Sequence, residues 1–234
     1  MSQTTQVTSF PKRETWTKSG PMVSNLPQDE IEILEERAAA TVADPAPLGL
    51  WGFATGTWIA GTIFAGMFPI TSLTATIPVL LIFAGLTQFI AGLFAFRRAN
   101  VLSATAFCSF GAFNVLTALL FGLQSINKLP TTGDPAILQG LVLESFAFIA
   151  LALTIAALRT NAGLVLTLAL LAAGYALVGI ANLTNSVGNG TFGFIGNIGG
   201  WVLVASAFFA YYTGMAVVVN SSWNRTVFPL GGEA

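Results

Sequence analysis

Hydrophobic residues gather in six long stretches of this chain, and polar residues are confined to its two ends and to the short connections between the stretches. Each stretch is long enough to cross the hydrocarbon core of a bilayer, which takes about 20 mainly apolar residues in a helix. The stretches cover residues 49–68, 76–96, 102–123, 137–158, 162–183 and 194–219. The pattern therefore predicts an all-α integral membrane protein with six transmembrane helices.

The composition agrees with that prediction and excludes several kinds of site. Only 8% of the residues are charged, whereas soluble domains carry about 25%. Histidine is absent and Cys108 is the single cysteine, which excludes histidine metal sites, histidine proton relays and an intrachain disulfide. The sequence also lacks a phosphate-binding loop and any pairing of a nucleophile with a base. We therefore expect no enzyme activity, no metal, no cofactor and no nucleic-acid partner.

A polar segment precedes the first apolar stretch. Residues 1–43 are predicted to form an N-terminal tail that is mostly disordered, because their composition cannot bury enough apolar surface to fold alone. Within this tail, residues 27–42 have apolar positions at helical spacing and favour a short amphipathic helix. Residues 44–222 are then predicted to form the membrane domain, and residues 223–234 a C-terminal tail.

Basic residues indicate how the chain lies in the membrane, because they resist translocation. With six spans both ends lie on one side, and eight of the nine lysines and arginines fall on that side. Lys128 alone falls on the other. We therefore expect a multi-pass protein of the plasma (inner) membrane with both termini in the cytoplasm. Similar basic turns after the second and fourth spans leave open an inverted repeat of three plus three helices.

The residues 44–50, Asp-Pro-Ala-Pro-Leu-Gly-Leu, mark the boundary between the polar tail and the first apolar stretch. The carboxylate of Asp44 can accept hydrogen bonds from the free amides of a first helical turn, and Pro45 suits the first helical position. A helix is therefore predicted to begin here and to continue through Pro47 and Gly49. With the termini in the cytoplasm, this motif lies at the cytoplasmic mouth of the first helix.

A few strongly polar side chains lie within the spans. Gln88, Asn114 and Asn182 carry amides that are costly in hydrocarbon, so we expect them to pair or to line a wet cavity. Hydroxyl residues such as Thr87 can instead bond to the backbone of their own helix. Glu144 lies roughly 10 Å below the outer end of the fourth span. It is either a proton-coupling or cation-selective carboxylate, or an acid that is hydrogen-bonded within the bundle.

Small residues recur at every fourth position on two of the spans. They are Gly52, Gly56 and Ala60 on the first span, and Gly196 and Gly200 on the sixth. This spacing lets helix backbones approach closely. The close contact lies either between helices of one protomer or at a seam between copies of the chain.

Several short motifs follow one another in a specific order over residues 44–230. They are Asp44-Pro45-Ala46-Pro47-Leu48-Gly49-Leu50, Gly52-Phe53, Thr87-Gln88-Phe89-Ile90-Ala91-Gly92, Ala106-Phe107-Cys108-Ser109-Phe110-Gly111, Ala181-Asn182 and Asn224-Arg225-Thr226-Val227-Phe228-Pro229. The ordered set resembles the acetate uptake transporter family, whose signature begins with Asn where this chain has Asp. That family includes bacterial succinate-acetate permeases and fungal acetate and ammonia-export-linked proteins.

The resemblance implies a six-span protomer with its own pore, assembled as a homo-hexamer in the lipid bilayer, that moves acetate and related short monocarboxylates or succinate. It also implies a hydrophobic constriction between two aqueous vestibules, at Phe53, Phe110 and Leu171. Ala207 matches a position that is associated with substrate selectivity in the family. Gln88, Asn114 and Asn182 would then orient the substrate in the vestibules.

Three residues depart from the family pattern. Asp44 adds a negative charge at the mouth, Phe110 replaces Tyr and leaves the narrowest point wholly apolar, and Asn114 stands where Trp is common. Since no basic residue lies within the spans and a bare carboxylate is costly to bury, we hypothesise that the constriction passes the protonated acid, or an acid and a proton together. A passive channel for small anions or neutral solutes and a purely structural membrane protein are the alternatives.

Overall fold

The computed structural model describes residues 27–31, 42–129, 134–184 and 192–232, and it divides the chain into two units, Met1–Ala43 and Asp44–Ala234. In the first unit, residues 28–31 are helical, and the Ile31 amide donates to the Pro27 carbonyl oxygen at 3.1 Å. This turn coincides with the start of the predicted amphipathic helix. Residues 32–41 of that helix, and the predicted disordered tail before it, lie outside the described residues.

The second unit is helical, and its described residues contain no strand. Its helices are α1 (Ala46–Phe64), α2 (Ile70–Arg97), α3 (Val101–Ser125), α4 (Asp134–Ala157), α5 (Ala162–Leu183) and α6 (Gly193–Trp223). Five of them, α2 to α6, are long and apolar enough to cross a membrane. The first helix is not among these five, because its 19 residues include four glycines, three threonines and two tryptophans, which contribute little hydropathy.

The observed ends of α1 differ slightly from the predicted ones, for local reasons. The helix begins at Ala46, one residue after the predicted start at Pro45. The Ala46 amide donates to the Asp44 carboxylate at 3.0 Å. The helix ends at Phe64 rather than at residue 68, because Gly66 adopts a φ of 80° and the Met67 amide turns back to the Thr62 carbonyl oxygen at 3.1 Å. This left-handed glycine closes the last turn in the way that many helices end.

The second helix changes its winding along its length. It starts as a 3₁₀ helix over Ile70–Thr76, continues as an α-helix over Ile77–Leu81, widens to a π-helix over Ile82–Thr87 and finishes as an α-helix over Gln88–Arg97. A π segment interrupts the regular pattern of backbone hydrogen bonds and is often found at functional sites. The wide turn faces α1 and α3, so it lies inside the bundle.

The six helices form a ring in chain order. Extensive packing joins α1 to α2, α2 to α3, α4 to α5, α5 to α6 and α6 back to α1, whereas α3 and α4 share few contacts. Glycines allow close approaches between these helices: a Cβ atom on Gly52 would lie 2.8 Å from the Phe83 carbonyl oxygen of α2, and one on Gly61 would lie 3.1 Å from the Gly200 carbonyl oxygen of α6. The α3–α4 contact is therefore the weakest point of the ring.

The glycines singled out by their spacing pack against helices of the same chain. Added Cβ atoms on Gly56 and Gly196 would lie 2.6 Å from the Cβ of Ala84 and 3.2 Å from the Cβ of Ala181. One on Gly200 would overlap the backbone at the end of α1. These contacts favour the reading of the small residues as packing within a protomer.

The end of the described chain folds back onto the bundle. The Asn220 side chain of α6 accepts from the Val227 and Phe228 amides at 2.7 and 3.0 Å and donates to the Phe228 carbonyl oxygen at 2.8 Å. The Leu230 and Gly231 carbonyl oxygens then accept from the first amides of α5, at 3.2 and 2.5 Å. Part of the predicted C-terminal tail thus caps a helix, because the first amides of α5 have no partner within their own helix.

Candidate functional site

Five aromatic rings from α1, α3, α4 and α5 meet in the middle of the bundle. Phe110 lies at their centre, with ring centroids 6.0 Å from Phe53, 6.0 Å from Phe146 and 6.4 Å from Tyr175. Phe113 lies closer still to two of them, at 4.5 Å from Phe146 and 5.2 Å from Tyr175. We call this group the aromatic cluster. It fills the interior of the ring of helices with aromatic side chains, of which only Tyr175 carries a hydroxyl.

The three residues expected at the constriction are all buried. The Phe53 and Phe110 rings contact each other and are 4% and 2% exposed. Leu171 of α5 is fully buried and belongs to the same apolar core. Phe113, Phe146 and Tyr175 were not predicted from the sequence. The three-residue spacing from Phe110 to Phe113, which places both on one helix face, is the signal that could have added Phe113.

A small cavity that opens to the outside lies next to the aromatic cluster. Phe113 and Tyr175 are shared between the cluster and the cavity wall. The remaining wall comes from the second half of α1, the second half of α3, the start of α4 and single residues of α2 and α6. Its described lining contains no charged residue, and its polar side chains are Thr57, Asn114, Thr117, Gln139 and Tyr175, which carries a hydroxyl. The cavity is therefore an uncharged vestibule that ends at the aromatic cluster.

The structure brings Gln88 and Asn114 together, as their polarity predicts. Gln88 is fully buried and Asn114 is 6% exposed. The Asn114 amide nitrogen donates to the Ala84 carbonyl oxygen at 3.1 Å and to the Gln88 side-chain oxygen at 3.3 Å. The Gln88 side-chain nitrogen has no hydrogen-bond partner among the described residues. Neighbouring Thr87 bonds to its own helix, through the Ile82 carbonyl oxygen at 3.1 Å.

Asn182 and Ala207 lie elsewhere in the bundle. The Asn182 amide nitrogen donates to the Val178 carbonyl oxygen of its own helix at 2.8 Å. Ala207 is fully buried on α6. Neither residue belongs to the described lining of the cavity. The structure thus separates Asn182 from the Gln88–Asn114 pair with which the sequence groups it.

Glu144 lies between α4 and α5, outside the described cavity lining. One carboxylate oxygen would be 2.5 Å from a Cβ atom placed on Gly179 of α5, so the carboxyl group lies against the backbone of that glycine. The same oxygen is buried and has no hydrogen-bond partner among the described residues. The absence of a side chain at Gly179 is what makes room for this acid.

The boundary motif packs the start of α1 against two other helices. Gly49 leaves room for the Phe107 ring of α3, whose Cδ2 atom would lie 2.6 Å from an added Cβ. On the other side, Gly214 of α6 leaves room for the start of α1. A Cβ atom added to Gly214 would lie 2.7 Å from the Trp51 ring and 3.4 Å from the Pro47 carbonyl oxygen. Asp44 itself is exposed. Among the described residues, no group of three or more acidic or cysteine side chains is placed to hold a metal ion.

The chain is similar to curated proteins over most of its length. It is 30% identical over 194 residues to the succinate-acetate/proton symporter SatP of Escherichia coli, which covers 81% of this chain and 96% of that protein. It is 30% identical over 182 residues to ammonia transport outward protein 2 of Saccharomyces cerevisiae, covering 76% of this chain and 62% of that protein. The solved structure of the bacterial acetate channel SatP matches with a TM-score of 0.71 at 28% identity, covering 81% of this chain and 99% of that one.

Residues 30–230 match the profile of one protein family, and this range contains all the ordered motifs noted in the sequence. The resemblance inferred from those motifs is thereby confirmed. Together with the five apolar helices, the match makes this a multi-pass membrane protein. The chain belongs to the GPR1/FUN34/yaaH family.

Proposed function

We propose that this protein transports acetate and related short monocarboxylates, or succinate, across the plasma membrane, as the protonated acid or together with a proton. The observation that carries the proposal is the aromatic cluster at the end of an uncharged vestibule, inside a single chain. The names of two relatives, a succinate-acetate/proton symporter and an acetate channel, support the choice of substrate.

The apolar character of the cluster favours a neutral substrate. A carboxylate that passed Phe53 and Phe110 would lose its water and find no cation in exchange, whereas a neutral acid loses only one or two hydrogen bonds. The substrate's own proton removes this barrier, so the protein needs no basic residue in the path. In this proposal Phe53, Phe110 and Leu171 form the constriction, and Gln88 and Asn114 supply polar contacts beside it. Asn182, Thr87 and Ala207 are proposed as further lining residues of the path, although none of them borders the described vestibule.

The proposed membrane arrangement has six spans. In it α1 also crosses the membrane, in addition to the five helices α2 to α6. Its 19 residues make about 28 Å of helix, close to the roughly 30 Å of a hydrocarbon core. Eleven of them are buried, so α1 requires less apolar surface than a helix that faces lipid. A pore within each protomer, a three-plus-three inverted repeat and a homo-hexamer belong to the same proposal.

The proposed orientation places the start of α1 on the cytoplasmic side. Contacts from Pro47 to Gly214, and from α5 to the C-terminal segment, gather the starts of α1 and α5 and the end of α6 at one end of the bundle. Arg159 and Arg225 flank α5 and α6 at this end. Basic residues are retained on the cytoplasmic side, so both termini are assigned to the cytoplasm and the cavity opens outwards.

Uptake of radiolabelled acetate into proteoliposomes tests the proposal. At fixed total acetate, uptake should rise as the external pH falls, by about tenfold per pH unit well above the pKa of the acid, because the neutral fraction rises by that factor. Protein-free liposomes give the background flux. Uptake that increased with external pH would overturn the mechanism.

A passive channel is the second candidate, and the uncharged vestibule is the observation that favours it. An apolar gate serves small neutral solutes as well as it serves an acid, and one relative is named for outward ammonia transport. Saturation at modest acetate concentration together with counterflow would identify a carrier. Linear, unsaturated flux would identify a channel.

A further inference from the structure

The π segment of α2 leaves a backbone carbonyl available to a neighbouring helix. Ala84 lies within this segment, and its carbonyl oxygen accepts a hydrogen bond from the Asn114 side chain of α3 at 3.1 Å. A carbonyl oxygen can only accept. The Asn114 amide must therefore present its nitrogen to Ala84, and the backbone of α2 decides which way this side chain is turned.

The orientation of the Asn114 amide also fixes the orientation of the Gln88 amide. The Asn114 nitrogen also faces the Gln88 side chain at 3.3 Å, so Gln88 must present its oxygen there. Its own nitrogen then points away from Asn114. That nitrogen is buried and has no partner among the described residues. Because buried donors are rarely left unpaired in folded proteins, a donor held in this way indicates a place for an acceptor from outside the chain.

Gln88 lies behind the described cavity lining, between Asn114, which lines the vestibule, and the start of the aromatic cluster at Phe53. The Gln88 Cβ is 3.3 Å from the position that a Cβ on Gly52 would take, and Gly52 directly precedes Phe53. On the other side, Asn114 lines the cavity, with its oxygen 3.6 Å from the corresponding position at Gly56. Gln88 thus supplies a fixed donor, and Asn114 a fixed acceptor, beside the proposed path.

We propose that Ala84, Asn114 and Gln88 form a binding site of fixed polarity for the carbonyl oxygen of a small neutral solute, and that the protein consequently conducts a primary amide such as acetamide as well as a carboxylic acid. The inference rests on the proposed transport path. Acetamide, like a protonated acid, combines an accepting oxygen with a donating group, and it is neutral at every physiological pH. Asn114 acts as a positioning residue, because it holds the Gln88 amide in the orientation that exposes its donor.

Acetamide and acetate fluxes, measured in the same proteoliposomes with the full-length chain, test the inference. Wild-type protein should conduct acetamide above the protein-free background at a rate independent of pH. Asn114→Leu and Gln88→Met should each lower acetamide flux about fivefold, the effect of losing one hydrogen bond of ordinary strength. Thr62→Val is the matched control, because among the described residues the buried Thr62 hydroxyl bonds only to the Ile59 carbonyl oxygen of its own helix, at 2.8 Å.

A spectroscopic measurement separates positioning from a merely structural role. With isotope-labelled glutamine in lipid-embedded protein, the side-chain amide signal of Gln88 should shift when acetamide is added to the wild type, but not to Asn114→Leu. Gln88→Met assigns the signal. The Gln88→Met variant keeps the hydrogen bond from Asn114 to the Ala84 carbonyl oxygen, so we expect it to fold even if Asn114→Leu does not.

The outcomes separate the two proposals. Acetate transport without acetamide transport, or a Gln88 signal that shifts equally in Asn114→Leu, would overturn the site and leave the proposed function standing. Acetamide transport without acetate transport would overturn the proposed acid transport and support the site. Absence of both fluxes would reject both proposals.

Discussion

The rings of Phe53 and Phe110 lie 6.0 Å apart, centroid to centroid, and join α1 to α3 within the aromatic cluster that adjoins the vestibule. Both rings are buried, and no hydroxyl is available at either position. Any solute that passes between these helices must displace or slip past them. The pair is therefore where a change in side-chain size should have the largest effect on flux.

Phe53→Ala and Phe110→Ala should each widen the path, raise acetate flux and admit solutes that the wild type excludes. Glycerol-induced swelling of proteoliposomes measures that loss of selectivity. Each variant should also lower stability, by an amount approaching the roughly 3–5 kcal/mol found for buried Phe→Ala substitutions. Phe148→Ala is the matched control, because that ring is 73% exposed on α4. Unaltered flux in both buried variants would support a purely structural protein.

Asp44→Asn should leave acetate uptake almost unchanged if the neutral acid is the transported species. A negative charge at the mouth repels acetate anions and attracts protons by the same factor, so the local concentration of neutral acid stays constant. The fold should be unaffected as well, since an asparagine oxygen can replace the carboxylate as acceptor of the Ala46 amide. A salt-sensitive increase in uptake would instead indicate that the anion itself is captured at the mouth.

If acetate crosses together with a separate proton that Glu144 carries, Glu144→Gln should weaken the response of uptake to an imposed pH gradient and leave acetate exchange at equal pH close to normal. The substitution keeps the size of the side chain beside Gly179 and removes only its ability to carry a proton. Ser145→Ala is the control, because within the described part of the chain this exposed neighbour bonds only to its own helix, at the Leu141 carbonyl oxygen. An unchanged pH response would assign Glu144 to packing alone.

Gly200→Ala should destabilise the protein by about 1–3 kcal/mol, because the added methyl group would overlap the backbone at the end of α1. Thermal unfolding in detergent measures the effect. Gly122→Ala provides a matched control within α3, where an added Cβ meets nothing within 4 Å. This control should be neutral or slightly stabilising, since alanine favours a helix over glycine by about 1 kcal/mol. Equal effects at the two positions would contradict the close α1–α6 packing.

Predictions that depend on local sequence agree well with the structure. The observed helices lie within a few residues of the predicted spans, and α5 has the predicted bounds. The larger shifts have local causes, such as the left-handed Gly66 that ends α1 early and the 3₁₀ turn that starts α2 at Ile70. The hydrogen bond from Ala46 to Asp44 likewise follows from the boundary motif.

Predictions that depend on how helices are rotated against each other were less complete. Gln88, Asn114 and Asn182 have the same chemistry in the sequence, yet only Gln88 and Asn114 meet, while Asn182 bonds to its own helix. Phe113 and Phe146 look like any apolar residues of a span, although their rings pack 4.5 Å apart. A one-dimensional pattern assigns a residue to a helix but does not say which neighbour its side chain will meet.

The sequence by itself determined that the chain lies in a membrane, where its helices lie and to which family it belongs. Composition, the length of apolar stretches and short motifs decide these points, and all of them are local properties of the chain. Only the tertiary structure decided that α2 opens into a π turn facing Asn114, that five rings cluster beside the vestibule, and that Glu144 lies against Gly179. These features arise from contacts between residues far apart in the chain. Their positions depend on how closely glycine lets two backbones approach, which becomes fixed only when the helices pack.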